Sequence, residues 1–286
     1  MDLDSADVPI PASETLMIAA FEGWNDAGNA ASAALDHLIR VLGAKEHATL
    51  DPEDYHDFQV NRPMASRDEH GERLLTWPGT VIYTATWRGE HTRRVVLVRG
   101  IEPSMRWRQF STEVLDFARE LGATTLLTLG ALLVDSPHTR PLPVFLTSED
   151  ADARARLDLE RSDYDGPTGI VGVLGHDAQH RGLTTFSMWV GIPHYIGHPP
   201  SPMGTVQLLG QLELLVREEL EYGSLADAAE AWENGADDLM EEDEEIAAHV
   251  AQLEAIVDEA ALPEASGDAI AAEFEKYLRK RDTGGK

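Results

Sequence analysis

The 286-residue chain contains no cysteine, which excludes disulfides, thiolate nucleophiles and cysteine-held metals. It has no apolar run approaching the roughly 20 residues of a membrane-spanning helix. Its first 14 residues carry Asp2, Asp4, Asp7 and Glu14 without one Lys or Arg, so the pattern of a secretory leader is missing and a cytoplasmic location is expected. Positive charge is scarce: 23 Lys and Arg stand against 51 Asp and Glu, a formal charge of −28. Twenty of those acids lie between Glu218 and Glu275, where no Lys or Arg occurs; the rest of the chain, with 31 acids, is only 8 short of neutral. Nucleic acids and anionic membranes are bound mainly through Lys and Arg, so neither is expected as a partner, whereas a basic protein surface is compatible. A simpler reading of the excess is solvated helix faces that maintain solubility.

Three catalytic signatures are also missing. No glycine spacing matches a phosphate-binding or dinucleotide loop, and no Gly-x-Ser-x-Gly elbow occurs. His176 and His180 stand four residues apart, as in zinc proteases, but Asp177 replaces the general-base Glu and no third ligand is identifiable beyond a proposal of His194 or His198, so no metal and no cofactor is expected.

What is present reads as alternating strands and helices. The apolar run over residues 15–21 has the length of a strand buried on both faces. A turn leads to a helix capped by Asn25 or Asp26, with Ala27, Ala30, Ala31, Ala34, Leu35 and Leu38 at helical spacing and Gly43 as its stop. A strand over 46–51 then suggests a parallel strand-helix-strand unit. Strands over 74–77, 80–86 and 94–99, with short connections, predict an antiparallel meander, so the sheet is expected to be mixed. A helix over 107–121, a core strand over 124–129, strands over 144–147 and 184–190, and a helix from Pro202 or Met203 to Tyr222 complete this part. A short helix after the apolar residues 170–174 would carry His176 and His180. Beyond Gly223 only helical pattern remains, with Leu239, Ile246, Val250, Leu253 and Val257 at near-heptad spacing and a last helix over 268–280. The expected organisation is a tail over 1–13, an α/β domain over 14–222 and an acidic helical extension over 223–286, either a hairpin or a small bundle.

Candidate site residues gather where strands run out, since α/β sheets bind ligands at strand carboxyl ends. The first loop offers Glu22, Asn25 and Asp26, whose acids disfavour a phosphate. The second offers Glu102 and Arg106, which either pair with each other or leave Arg106 to grip a carboxylate. The third, after a core strand, offers Asp135, His138 and Arg140. Asp135, Ser136 and His138 are triad residue types, but too close in sequence to form one among themselves. These residues either line an anion pocket or belong to a proline-held loop at an interface. The fourth offers His194 beside Tyr195.

Phe21-Glu-Gly-Trp-Asn-Asp-Ala-Gly-Asn29, Glu102-Pro-Ser-Met-Arg106-Trp107, the loop 130–141, Tyr164-Asp-Gly-Pro-Thr-Gly169, Pro193-His-Tyr195 and Pro199-Pro-Ser-Pro202 together resemble the PAC2 family in its actinobacterial form, over residues 15–222. The resemblance implies a three-layer α/β/α sandwich with a mixed sheet, related to nucleoside phosphorylases, and by analogy with eukaryotic members a role in proteasome assembly. It implies no established activity for bacterial members. The chain ends Asp282-Thr-Gly-Gly-Lys286, without a hydrophobic-Tyr-x motif for docking on a proteasome. Two functions follow as expectations. One is a non-catalytic, homo-oligomeric binding or assembly protein with Trp24, Trp107 and Tyr195 at its contacts. The other is an enzyme of hydrolase or phosphorylase type for a small anionic or nucleoside-like substrate, which requires the nine candidate residues to converge on one cleft.

Overall fold

The computed structural model describes residues 10–261 apart from Glu90 and Glu160. Strand β1 (Thr15–Glu22) lies at the centre of a seven-stranded sheet and is buried through Phe21. Its alternation splits the core in two: Leu16, Ile18 and Ala20 face one layer of helices, Met17, Ala19 and Phe21 the other. Parallel neighbours flank it, β6 (Thr92–Ile101) on one side and β7 (Ala123–Val134) on the other. Strand β9 (Thr184–Pro193) pairs parallel with β7, and the edge strand β8 (Val144–Thr147) pairs antiparallel with β9. On the opposite side β5 (Thr80–Arg88) pairs antiparallel with β6, and β2 (Lys45–Leu50) antiparallel with β5 at the other edge.

Helices α1 (Ala30–Val41) and α6 (Pro202–Val216) cover the first face; α3 (Trp107–Glu120) and α5 (Ile170–His180) cover the second. The result is the expected three-layer α/β/α fold with a mixed sheet. Two short helices, α2 (Pro52–Tyr55) and α4 (Ala151–Leu157), each begin at an Asp whose side chain accepts a backbone N–H.

Several expectations need correction. The strand-helix-strand unit keeps its expected parallel sense, since β1 and β2 run the same way, but β5 and β6 lie between the two strands. Residues 74–77 do not join the main sheet: β4 (Arg73–Thr76) forms a separate two-stranded hairpin with β3 (Met64–Arg67), a strand the apolar pattern did not reveal. Strand β7 runs on to Val134, five residues past the expected end, since it stays paired with β9 along that length. Residues 170–174 are the buried first turns of α5, not a segment before a short helix. Helix α6 stops at Val216, where Arg217 takes a left-handed conformation.

The extension is a pair of helices, α7 (Ser224–Glu242) and α8 (Glu244–Ala261), broken at Asp243. That residue is extended, and its carboxylate accepts the N–H groups of Glu245 and Ile246, capping α8. Ala229 and Ala236 of α7, with Val250 and Leu253 of α8, are buried. The helix expected over 268–280 lies outside the described residues.

Candidate functional site

The loop after β1 is a chain of internal contacts. Gly23, at φ +119°, and Gly28, at φ +62°, turn the backbone through conformations that side chains resist. Asn25 is 1% exposed; its Nδ2 donates to Glu102 Oε1 at 2.7 Å, and its carbonyl accepts the Ala131 N–H at 2.8 Å. Glu102 Oε1 also accepts the Ile170 N–H at 2.9 Å, placing a negative charge at the N-terminus of α5. The Asn25 Oδ1 lies against Gly169, where a Cβ would collide with it.

Asp26 was expected as a cap and acts as one at a distance. Its Oδ1 accepts the Ala31 N–H at 2.7 Å and its Oδ2 the Ser32 N–H at 3.2 Å, although α1 starts only at Ala30, after a short 3-10 turn over Ala27–Asn29. Burial raises the Asp26 pKa, and the hydrogen bonds from Ser32 and Ala31, with the charge of Arg99, only partly oppose the rise. Glu22 is bonded to Arg99, whose Nε donates to Asp36 at 2.9 Å. The two carboxylates offset the burial that would lower the Arg99 pKa, leaving it raised. The suggested Glu102–Arg106 pair does not form: Arg106 reaches Asp54 at the end of α2.

The second half of the candidate set sits elsewhere. Asp135 and His194, both exposed, face each other at 3.3 Å beyond the ends of β7 and β9. The His138 side chain is fully buried; its Nδ1 lies 2.7 Å from the Tyr195 hydroxyl and its Nε2 3.1 Å from Asp237 of α7. Arg140 donates to Asp258 at 2.9 and 2.8 Å and to Glu254 at 3.2 Å, both on α8. The hydrogen bond with Asp258 raises the Arg140 pKa further and holds the Asp258 carboxyl below its usual range. Thr139 donates to Glu254 at 2.6 Å, and the Tyr195 ring meets His249 edge-on. The acidic extension therefore docks on the third and fourth loops, and three of its carboxylates serve that contact instead of facing solvent alone.

The nine candidates thus form two sets. Glu22, Asn25, Asp26 and Glu102 lock the strand ends of β1 and β6 to two helices, with Arg106 beside them; Asp135, His138, Arg140 and His194 cluster beyond β7 and β9. No hydrogen bond or ion pair joins the sets among the described residues. Sequence reasoning missed Arg99, Asp36, Asp237, Glu254 and Asp258, whose partners lie far along the chain. The one available signal was a positive charge, Arg99, inside an apolar strand. The His176 and His180 rings lie 4.3 Å apart and tilted by 47°, and no group of three His, Cys, Asp or Glu able to hold a metal occurs among the described residues.

A groove of about 460 Å³ opens at the carboxyl ends of β1 and β6, its charged lining being Glu22, Asp57 and Glu102, with Asn61 and Ser104 beside apolar Val60 and Met105. Val60 of that lining is 73% exposed and Met105 is also exposed; elsewhere Trp24 is 64% exposed and Met64 69%, with Leu74, Leu75 and Trp77 also exposed. Of the three aromatics expected at contacts, only Trp24 is open. Trp107 is partly covered and donates its Nε1–H to the Pro103 carbonyl, and Tyr195 is held by His138.

The family model described as the PAC2 family matches residues 20–253 and so extends into α8. A PAC2 family protein from Streptomyces avermitilis is 49% identical, its structure superposing with a TM-score of 0.78 over 83% of this chain and 100% of its own. A proteasome-assembly chaperone homologue from Mycobacterium tuberculosis is 40% identical, with a TM-score of 0.74 over 82% of this chain and 100% of that one. An archaeal proteasome activator from Pyrococcus furiosus shares the fold at 17% identity and a TM-score of 0.64, over 82% of this chain and 97% of its own. No curated protein matches.

Proposed function

The chain belongs to the PAC2 family, and from that premise we propose that it is a non-catalytic, homo-oligomeric binding protein of the cytoplasm with a chaperone-like role in assembling a protein partner. The observation that carries this reading is the β3–β4 hairpin. All eight of its strand residues are exposed, Met64, Leu74 and Leu75 among them. A two-stranded hairpin with no covered apolar face is at best marginally stable in water, so its cover belongs to another molecule. A second copy of this chain is the occupant. The relative named as a proteasome-assembly chaperone homologue supports a protein partner over a small substrate. The division into an α/β domain over 14–222 and an acidic extension over 223–286 is part of the same proposal.

The enzyme alternative is weakened by what its candidates do. Asp26, buried and shifted in pKa, spends both oxygens on the start of α1, and Glu22, Asp57 and Glu102 give the groove a charge that repels an anionic substrate. Light scattering at micromolar concentration tests the proposal. An oligomer is expected for the wild type and smaller species for Met64→Glu/Leu75→Glu with unchanged circular dichroism; a wild-type monomer overturns the homo-oligomeric reading.

A further inference from the structure

At the other end of the sheet lies a cleft of opposite character. Its volume is about 650 Å³, and its charged lining is Lys45, His47, Arg88 and Arg94, with Thr84 and Thr86 between them. The pairing register explains why these side chains collect. Lys45 stands opposite Thr84, Thr86 opposite Arg94 and Arg88 opposite Thr92, on the same sheet face as Ile82, Val96 and Val98, which pack under α3. Helix α3 ends at Glu120, so the sheet rows beyond it are left without a helix and carry Thr, Lys and Arg instead of Val and Ile. Lys45 and Arg88 make no ion pair among the described residues. Two nearby carboxylates are turned to other partners or faces, and a third, Glu218, accepts the His91 N–H at 2.8 Å. Glu120 lies 3.8 Å from His47, and Glu46 stands opposite Tyr83, whose ring belongs to the other core.

The shape of this cationic strip selects its ligand. From the Lys45–Thr84 row to Arg88 the strip runs four residues along β5, about 13 Å at the usual rise of a strand. Its end walls are Gly43, just past α1, and Leu121, just past α3, and Arg94 already donates to the Leu121 carbonyl. One compact dianion such as phosphate would meet only part of a strip this long. A row of separate carboxylates fits better.

Such a row is present in the same chain. Glu241, Glu242, Glu244 and Glu245, at the junction of α7 and α8, are exposed and make no ion pair among the described residues. Within one molecule they cannot reach the cleft. Strands β6 and β7 both run parallel to β1, so Arg94 near the start of β6 and Asp135 beyond the end of β7 lie at opposite ends. Helix α7 climbs between those ends: Glu218 before it accepts the His91 N–H at the cleft end, and Asp237 within it meets His138 at the far end.

We propose that the acidic α7–α8 junction of one copy docks in the Lys45–Arg88–Arg94 cleft of the next. The contact is heterologous, so repetition closes a ring or builds a filament. It rests on the self-association proposed above but uses a different surface from the hairpin.

Charge reversal in the full chain tests it. Lys45→Glu/Arg88→Glu and Glu241→Lys/Glu244→Lys are each expected to weaken association at low salt by roughly tenfold or more, as the loss of several exposed ion pairs would. An equimolar mixture of the two variants should regain association, because each keeps the surface the other has lost. Arg108→Glu/Arg156→Glu, exposed and away from the cleft, controls for net charge and should leave association unchanged. Variants that associate like the wild type, or a mixture that gains nothing, overturn the proposal. So does calorimetric binding of inorganic phosphate that is lost in Lys45→Glu/Arg88→Glu while association is unaltered; the cleft is then a small-anion site. If Met64→Glu/Leu75→Glu dissociates the protein and the charge variants do not, only this inference fails. If the wild type is monomeric under every condition, the self-association reading fails with it.

Discussion

Two irregular regions of this protein, the loop over residues 22–29 and the hairpin region over residues 58–77, invert the usual expectation about where function resides. The loop carries Glu22, Asn25 and Asp26 at a strand end, the place where α/β proteins bind ligands, yet Asn25 and Asp26 are buried and each polar side chain holds another part of the fold. The hairpin region carries no catalytic residue type in a suggestive pattern, yet it presents Val60, Met64, Leu74, Leu75 and Trp77 to solvent. Polar side chains in the first are spent inward; apolar side chains in the second stay largely in solvent, apart from the edge-on contact of Trp77 with Phe58. A polar residue at a strand end therefore becomes a site only if something leaves it unspent.

The sharpest way to break this contrast is to force the loop open. Gly28 has φ +62°, and a Cβ there would stand 2.6 Å from the Ser201 Cβ. Left-handed strain and overpacking against Ser201, itself 1% exposed, act together, so Gly28→Ala should destabilise by about 3 kcal/mol. Urea unfolding checks this, and a loss below about 1 kcal/mol would show that the loop gives way freely and is no structural lock.

The contrast also explains what could be read from residues alone. The buried strand β1, the helix α3 and the mixed sheet were legible because their apolar spacing is local, as was the stop at Gly43, which has φ +58°. The parallel sense of β1 and β2 was legible too, but not that the antiparallel β5–β6 pair, in register over nine residue pairs, lies between them. The candidate residues were found, but their roles were not. Whether Glu102 serves a ligand or the N-terminus of α5 depends on Asn25 and Ile170, 77 and 68 residues away. The docking of His138 and Arg140 on Asp237, Glu254 and Asp258 was hidden likewise, since an exposed acidic helix and a docked one share the same spacing.

A milder change tests whether charge on the loop has any purpose. The Asp26 carboxyl has a pKa raised by burial, so the folded state binds its proton more tightly than the unfolded chain does. Its contribution is fully present below the unfolded value of about 3.8 and is lost as pH rises through the folded value, which makes the ionised form a cost at pH 7. Asp26→Asn keeps an oxygen for the Ala31 N–H and removes that titration. Stability of the wild type relative to Asp26→Asn should therefore rise on acidification from neutral pH towards pH 4. Paired denaturant titrations at the two pH values measure it, and a relative stability independent of pH would mean that burial does not control this carboxyl.

The smallest effect on the fold belongs to the hairpin, and its smallness is the point. Leu75 is 53% exposed and stands opposite Ala65 on a strand with no buried residue. If nothing in the same chain covers it, Leu75→Ser removes almost no burial within the monomer and should change unfolding stability by less than about 0.5 kcal/mol at dilution, the range of ordinary surface substitutions. At concentrations where the protein associates, the same substitution should lower the apparent melting temperature, because an interface that binds only the folded state adds stability with concentration. Melting the wild type and Leu75→Ser across a dilution series separates the two contributions. A large loss that persists at the lowest concentration would place the cover of Leu75 inside the monomer and remove the asymmetry between hairpin and loop; a loss that appears only on concentration assigns that cover to a second molecule.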